Sequence, residues 1–161
     1  MRKRQIDTQD AAAAVVASGE IDCTEHASIA FSSEDPSHPI DCVFDGRHGP
    51  GAPRWISARP DMPEQVVVAF DEPQSLSRVM YEVEEREGER TQEIRLEVSH
   101  DEEQSYRPLL VQEYTFSPRG ATFQKEDLRL EVQRATHLRV TIVPNKCGSG
   151  RATLTSLRLF A

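Results

Sequence analysis

Cysteine is scarce in this chain. Of 161 residues only Cys23, Cys42 and Cys147 are cysteine. The number is odd and no Cys-x-x-Cys pair occurs, which excludes a dense disulfide framework and speaks against a zinc site. Positive charge is also in deficit: 19 Lys and Arg stand against 27 Asp and Glu, a formal net charge of −8. A chain with this balance lacks the basic footprint that phosphate backbones demand, so no direct nucleic-acid partner is expected. No apolar run approaches the roughly 20 residues of a membrane-spanning helix, so no membrane role is expected. Catalytic signatures are missing as well. There is no G-x-S-x-G, no P-loop and no H-E-x-x-H, and the expectation is a non-catalytic protein. The opening MRKRQIDTQDAAAAVVASGE joins basic residues to an alanine-rich run, but Asp7, Gln9 and Asp10 interrupt it. It reads as a tail rather than an export signal. Together with the cysteine usage, this makes a cytoplasmic setting the expectation.

What is present is alternation. Ile94, Leu96 and Val98 alternate with Glu93, Arg95 and Glu97; Leu128, Leu130 and Val132 repeat the pattern, as do Leu138, Val140 and Ile142. A period of two gives a strand with one wet and one buried face. QVVVAF (65–70) is a continuous apolar run of central-strand length, and SRVMYEVEE places Val79, Tyr81 and Val83 on one side. YRPLLVQEYTF (106–116) adds a strand with Pro108 near its start, where a missing donor is tolerated. Turn signals stand between the runs, at DEPQ (71), REGE (86), SHDEEQ (99), SPRG (117) and NKCGSGR (145). In ATLTSLRLFA, Leu154 and Leu157 have opposite parity, which predicts a bulge or bend. The Glu- and Arg-rich stretch 81–103 favours helix by composition, but Gly88 and the alternation after Thr91 oppose one long helix. The expected fold is all-β: an antiparallel jelly-roll sandwich of about eight strands with one short helix near 38–44. Residues 1–20 form a flexible tail in this reading, and 21–161 form the domain.

Residues 38–55, HPIDCVFDGRHGPGAPRW, pose a separate question. A glycine- and proline-punctuated loop runs from a short helical turn to the single tryptophan, Trp55. Such a loop holds a fixed path and suits a metal, a ligand or a simple connection. His38 and His48 have no partner histidine at metal spacing. Asp101, Glu102 and Glu103 read as a solvated hairpin tip, and Cys147 as a plain free thiol.

The stretch SIAFSSEDPSHPIDCVFDG followed by Trp55 resembles the opening of discoidin, or coagulation factor V/VIII type C, domains, which belong to the galactose-binding-like jelly rolls. The matching features are Ser32-Ser33, the turn from Pro39 to Phe44, Asp45-Gly46, and Trp55 with Ser57. QVVVAFDEPQSLSRVMYEV, IRLEVSHDEEQSYRPLL, THLRVTIV and ATLTSLRLF resemble later strands of the family in order, so the likeness runs from about residue 24 to 160. The flavour is that of intracellular members such as the discoidin-type intraflagellar transport subunit.

The resemblance implies sites. In some relatives this loop and the last strand bind calcium, and Asp45 matches the loop's aspartate. Here GRHGPGAPR supplies no second carboxylate, and Thr155 or Ser156 stands where an acid is expected, so calcium is disfavoured and no cofactor is expected. Asp45 then caps the turn or bonds the loop backbone. Carbohydrate-binding relatives grip sugar hydroxyls with an Arg and an Asn from the region of 84–91; this chain offers Arg86 and Arg90 but no Asn. A ligand site at the end formed by 45–59 and 84–91 has Arg54, Arg59, Arg86 and Arg90 as polar donors. Trp55 is either a stacking platform or a core anchor. The leading expectation is a binding module for an intracellular protein partner, and the alternative is a carbohydrate-binding module using the loop end. A protein binder requires a contiguous apolar patch on a sheet face; a sugar binder requires convergent donors at the loop end.

Overall fold

The computed structural model describes residues 19–146 and 150–161. The expectations for the body of the tail and for Cys147 lie outside the described residues. Gly19 and Glu20, assigned to the tail, are tied to the domain: Ala161 N donates to Gly19 O at 2.7 Å, and Glu20 accepts from Arg158 at 2.8 and 3.0 Å. The elements are α1 (Cys23–His26), β1 (Ala27–Phe31), a 3-10 turn (Ile40–Val43), β2 (Trp55–Pro60), β3 (Glu64–Glu84), β4 (Arg90–Ser99), β5 (Arg107–Phe116), β6 (Phe123–Val143), β7 (Arg151–Leu154) and β8 (Ser156–Phe160). The short turn α1 is capped by Asp22, whose Oδ1 accepts from Thr24 N at 3.0 Å.

Eight antiparallel strands are present among the described residues, but they divide differently from the sequence reading. DEPQ at 71 does not reverse the chain. Residues 64–84 run on as one strand, with register shifts between Ala69 and Arg78. The runs at 126–133 and 137–144 likewise join in β6, which turns through Arg134 at φ 56°. Both long strands therefore serve two sheets. The first part of β3 pairs with β1 and with the last part of β6, and β4 and β5 extend that sheet to five strands. The second part of β3 pairs with the first part of β6 and with β8, a three-stranded sheet. β2 and β7 pair separately. The phase slip at the end of the chain is present as a break at Thr155 that separates β7 from β8.

The inward positions meet in one core. Val66, Val68, Ile94, Leu96, Val98, Leu138, Val140 and Ile142 come from the larger sheet. Val79, Tyr81, Val83, Leu157 and Leu159 come from the smaller, and Trp55, Ile40 and Val43 close one end. The alternation that predicted the strands is thus the alternation that fills the sandwich.

Candidate functional site

The glycine- and proline-rich loop is fastened to the outer face of β3. Gly49 N donates to Glu82 Oε2 at 2.7 Å and Gly51 N to Glu84 Oε2 at 2.9 Å. Both carboxylates are buried by the loop that bonds to them. The donors are two residues apart and so are the acceptors, which matches the strand's own period. Gly49 and Gly51 have φ of 92° and 84°, a region that side-chain-bearing residues rarely adopt. His48 Nδ1 adds a contact to Glu82 Oε1 at 3.7 Å. The loop's fixed path therefore comes from two buried carboxylates and backbone amides.

Asp45 is occupied by protein groups. Its Oδ1 accepts from Arg47 N at 2.8 Å, and its Oδ2 accepts from Arg47 Nε and Nη2 at 2.9 and 2.6 Å. A guanidinium lies where calcium would need further oxygens. Among the described residues no group of three or more His, Cys, Asp or Glu side chains converges on a point. These residues do not fit a calcium ion.

The anticipated ligand residues separate into two sets. Trp55 is fully enclosed, and its Nε1 donates to Ser33 O at 3.0 Å. This excludes the stacking role and leaves the core role. Arg90 is also corrected: it is buried rather than presented to solvent. Its Nη2 meets Glu85 Oε2 at 2.9 Å, and its Nη1 donates to the carbonyls of Arg151 and Pro144, the latter at 3.4 Å. Arg90 ties the 84–91 hairpin to the loop before β7. Arg59 is committed to a neighbour: its Nε and Nη2 donate to the buried Glu64 at 3.1 and 3.0 Å.

Arg54 and Arg86 remain at the surface. The Arg86 side chain is 56% exposed, with Nε on Glu84. Arg54 is half-buried and has no hydrogen bond or ion pair among the described residues. Burial pulls the Arg90 guanidinium below its usual range, Glu85 opposes this, and the nearby Arg54 charge lowers it further. His48 and Arg86 thus meet Glu82 and Glu84, while Arg54 lies near Arg90, which Glu85 holds.

Sequence reasoning missed the carboxylates that build this end. Glu82 and Glu84 read as the wet side of an alternating strand. The usable signal was the matched spacing of two glycines and two glutamates.

The faces of the sandwich are different in kind. On the larger sheet Arg139 pairs with Glu97 at 3.1 Å and Arg95 with Glu93 at 2.7 Å. Arg139 also lies 3.8 Å from the Tyr106 ring centroid. The exposed large hydrophobic side chains among the described residues are Phe31, Met62 and Val111. Phe31 and Val111 sit on β1 and β5, the opposite edges of the five-stranded sheet.

No curated protein sequence matches the chain. Among solved structures it resembles CBM32-3 from a family 31 glycoside hydrolase of Clostridium perfringens, at 18% identity and TM-score 0.66, covering 90% of this chain and 96% of that one. It also resembles the family 32 CBM of C. perfringens NanJ, solved in complex with galactose, at 12% identity and TM-score 0.62, covering 89% and 98%. A third similar structure is the C. perfringens CpGH89CBM32-5, in complex with GalNAc-β-1,3-galactose, at 17% identity and TM-score 0.61, covering 88% and 99%. At these identities the likeness establishes the shared jelly-roll sandwich. The F5/8 type C domain model matches residues 28–155, most of the chain. With its Ser32-Ser33 pair, its fastened loop and its enclosed Trp55 all inside that span, the chain belongs to the F5/8 type C, or discoidin, family of binding domains.

Proposed function

We propose that this chain is a carbohydrate-binding module whose ligand meets the end formed by residues 45–59 and 84–91. One observation carries the reading. The loop at that end is fixed by the Gly49–Glu82 and Gly51–Glu84 bonds, and His48 and Arg86 meet the same two carboxylates. Guanidinium forks donate well to vicinal hydroxyls and to carbonyl oxygens. A preformed loop spares the ligand the cost of ordering it. The galactose- and GalNAc-containing ligands of two structurally similar modules support the same class.

The intracellular protein-partner reading, which led on sequence grounds, has less support. It required a contiguous apolar patch, and Phe31 and Val111 lie at opposite sheet edges. The carbohydrate alternative is the better supported of the two.

With Trp55 enclosed and no aromatic residue in 45–54 or 84–91, affinity rests on hydrogen bonds alone, so weak binding is expected. The test is a nitrogen-15 NMR titration with galactose, N-acetylgalactosamine and N-acetylglucosamine. Shifts confined to residues 45–54 and 84–91, weakened about tenfold in the Arg54→Ala/Arg86→Ala double variant, are the expected result. A spectrum in which these residues do not respond sinks the loop-end assignment.

A further inference from the structure

Glu82, Glu84 and Glu85 divide their carboxylate oxygens in the same way. Glu82 Oε2 accepts from Gly49 N at 2.7 Å, and its Oε1 lies 3.7 Å from His48 Nδ1. Glu84 Oε2 accepts from Gly51 N at 2.9 Å, and its Oε1 meets Arg86 Nε. Glu85 Oε1 accepts from Glu87 N and Gly88 N at 3.0 and 3.2 Å, and its Oε2 meets Arg90 Nη2 at 2.9 Å. In each case one oxygen holds backbone and the other faces a basic side chain.

Glu84 is set apart by what its partner has left over. His48 lies beyond hydrogen-bond distance of Glu82. Arg90 is buried, and its Nη1 is taken up by the carbonyls of Arg151 and Pro144. The Arg86 side chain is 56% exposed and is engaged through Nε. Its Nη1 and Nη2 have no partner among the described residues. A guanidinium held at Nε keeps both Nη groups as donors for a second pair of oxygens. Vicinal hydroxyls of a sugar present such a pair.

The anchor is fixed while the donor end is open. The Glu84 side chain is 2% exposed and tied to Gly51. An exposed arginine has many rotamers to lose when a ligand takes it. Glu84 orders Arg86 before a ligand arrives, and the turn closed by Glu85 orders the backbone that carries it. Because the same carboxylate holds Gly51, it also sets Arg86 against the 45–59 loop.

We infer that Glu84 is a positioning residue of the loop-end site, holding Arg86 by Nε so that both Nη groups stay available to a pair of neighbouring sugar hydroxyls. This rests on the carbohydrate reading above and gives a role within it to a residue that acts through another.

The experiment is a double-mutant cycle on the full chain, read by galactose and N-acetylgalactosamine titration. Glu84→Gln keeps the shape and an oxygen for Gly51 N, but its amide nitrogen cannot accept from Arg86. It is expected to weaken binding about fivefold in the wild-type background and less than about twofold in the Arg86→Ala background. Without sugar, it is expected to move the Arg86 Nε–Hε resonance. Arg86→Lys leaves Glu84 and the core in place. A lysine seated on Glu84 has no fork left for two hydroxyls, and about fivefold weaker binding is expected. Wild-type affinity in Glu84→Gln or in Arg86→Lys overturns the positioning role and leaves the loop-end reading standing. So does an equal loss in both backgrounds, because Glu84 would then act without Arg86. An Arg86 resonance unmoved by Glu84→Gln overturns the tether itself. A wild-type chain silent to both sugars at 45–54 and 84–91 overturns the loop-end reading, and the positioning role falls with it.

Discussion

At the residue scale, Glu64 shows what the Ser32-Ser33 pair is for. The carboxylate is fully buried at the start of β3. Ser33 Oγ donates to its Oε1 at 2.8 Å, Ser32 Oγ donates to its Oε2, and Arg59 supplies two further bonds. The serines also accept backbone protons, Ser33 Oγ from Ala58 N at 3.1 Å and Ser32 Oγ from Gln65 N at 2.8 Å. Burial pushes the Glu64 carboxyl up, but Arg59 and the two hydroxyls outweigh it and hold the group below its ordinary range. A depressed carboxylate stabilises the fold above its unfolded pKa and loses that contribution as pH falls through the folded value. Glu64→Gln is expected to cost about 1–3 kcal/mol in urea unfolding at pH 7. An unchanged midpoint removes Glu64 from the account. Cys23 offers a second check. Burial first, then the neighbouring Asp22 and Glu20 charges, push its thiol up to about 12. Iodoacetamide at pH 8 is therefore expected to leave Cys23 unlabelled in the native protein and to label it in urea, as read by peptide mass.

At the element scale, two local conformations carry weight that composition concealed. The 99–105 turn is the exposed acidic tip its composition suggests, and Asp101 also organises it, accepting from Ser105 N at 2.9 Å, Ser105 Oγ at 2.6 Å and Ser99 Oγ at 2.8 Å. The Ser105 bonds, with help from Ser99, hold its carboxyl down at about 2. The turn's contribution is then complete above pH 4 and is lost between about pH 4 and pH 2. In the folded protein the Ser99 and Ser105 amide shifts are expected to titrate with a midpoint near pH 2, and a midpoint near pH 4 would show an unassisted carboxylate. The second conformation is Arg134, whose left-handed backbone turns β6 from one sheet to the other. A β-branched side chain tolerates this poorly, so Arg134→Val is expected to lose about 1–2 kcal/mol. Arg134→Gly is expected to retain wild-type stability or exceed it. Equal unfolding midpoints for the two variants would mean that the bend tolerates any residue. The alternation in both halves of β6 was legible. Their continuity was not, because the break in alternation around Arg134 reads the same whether it ends a strand or bends one.

At the scale of the whole molecule, one core joins both sheets, and Trp55 closes its loop end. Trp55 packs there while its Nε1 bonds Ser33 O and its backbone pairs with Leu154 of β7. Trp55→Ala is expected to lower global stability by about 3–5 kcal/mol, measured by urea unfolding. A loss under 1 kcal/mol would mean that the end of the sandwich closes without it. Because the indole is enclosed, a variant that remains folded is expected to lose stability rather than any direct stacking contact with a ligand.

The sequence by itself determined the fold class, because a period of two in apolar residues has one physical solution, a strand with a buried face. It also determined the family, since the Ser-Ser, Asp-Gly and Trp features follow one another in the order this jelly roll uses. It placed the loop end but not the duties of the residues there. Arg59, Arg86 and Arg90 look alike as letters. Only the tertiary structure assigned Arg59 to Glu64, buried Arg90 beneath the loop before β7 and left Arg86 exposed. Likewise Glu82 and Glu84 became loop anchors only when the loop met the strand. The physical reason is common to these cases. A side chain's polarity is local, but its partner, and therefore its role, is supplied by whatever the fold brings beside it.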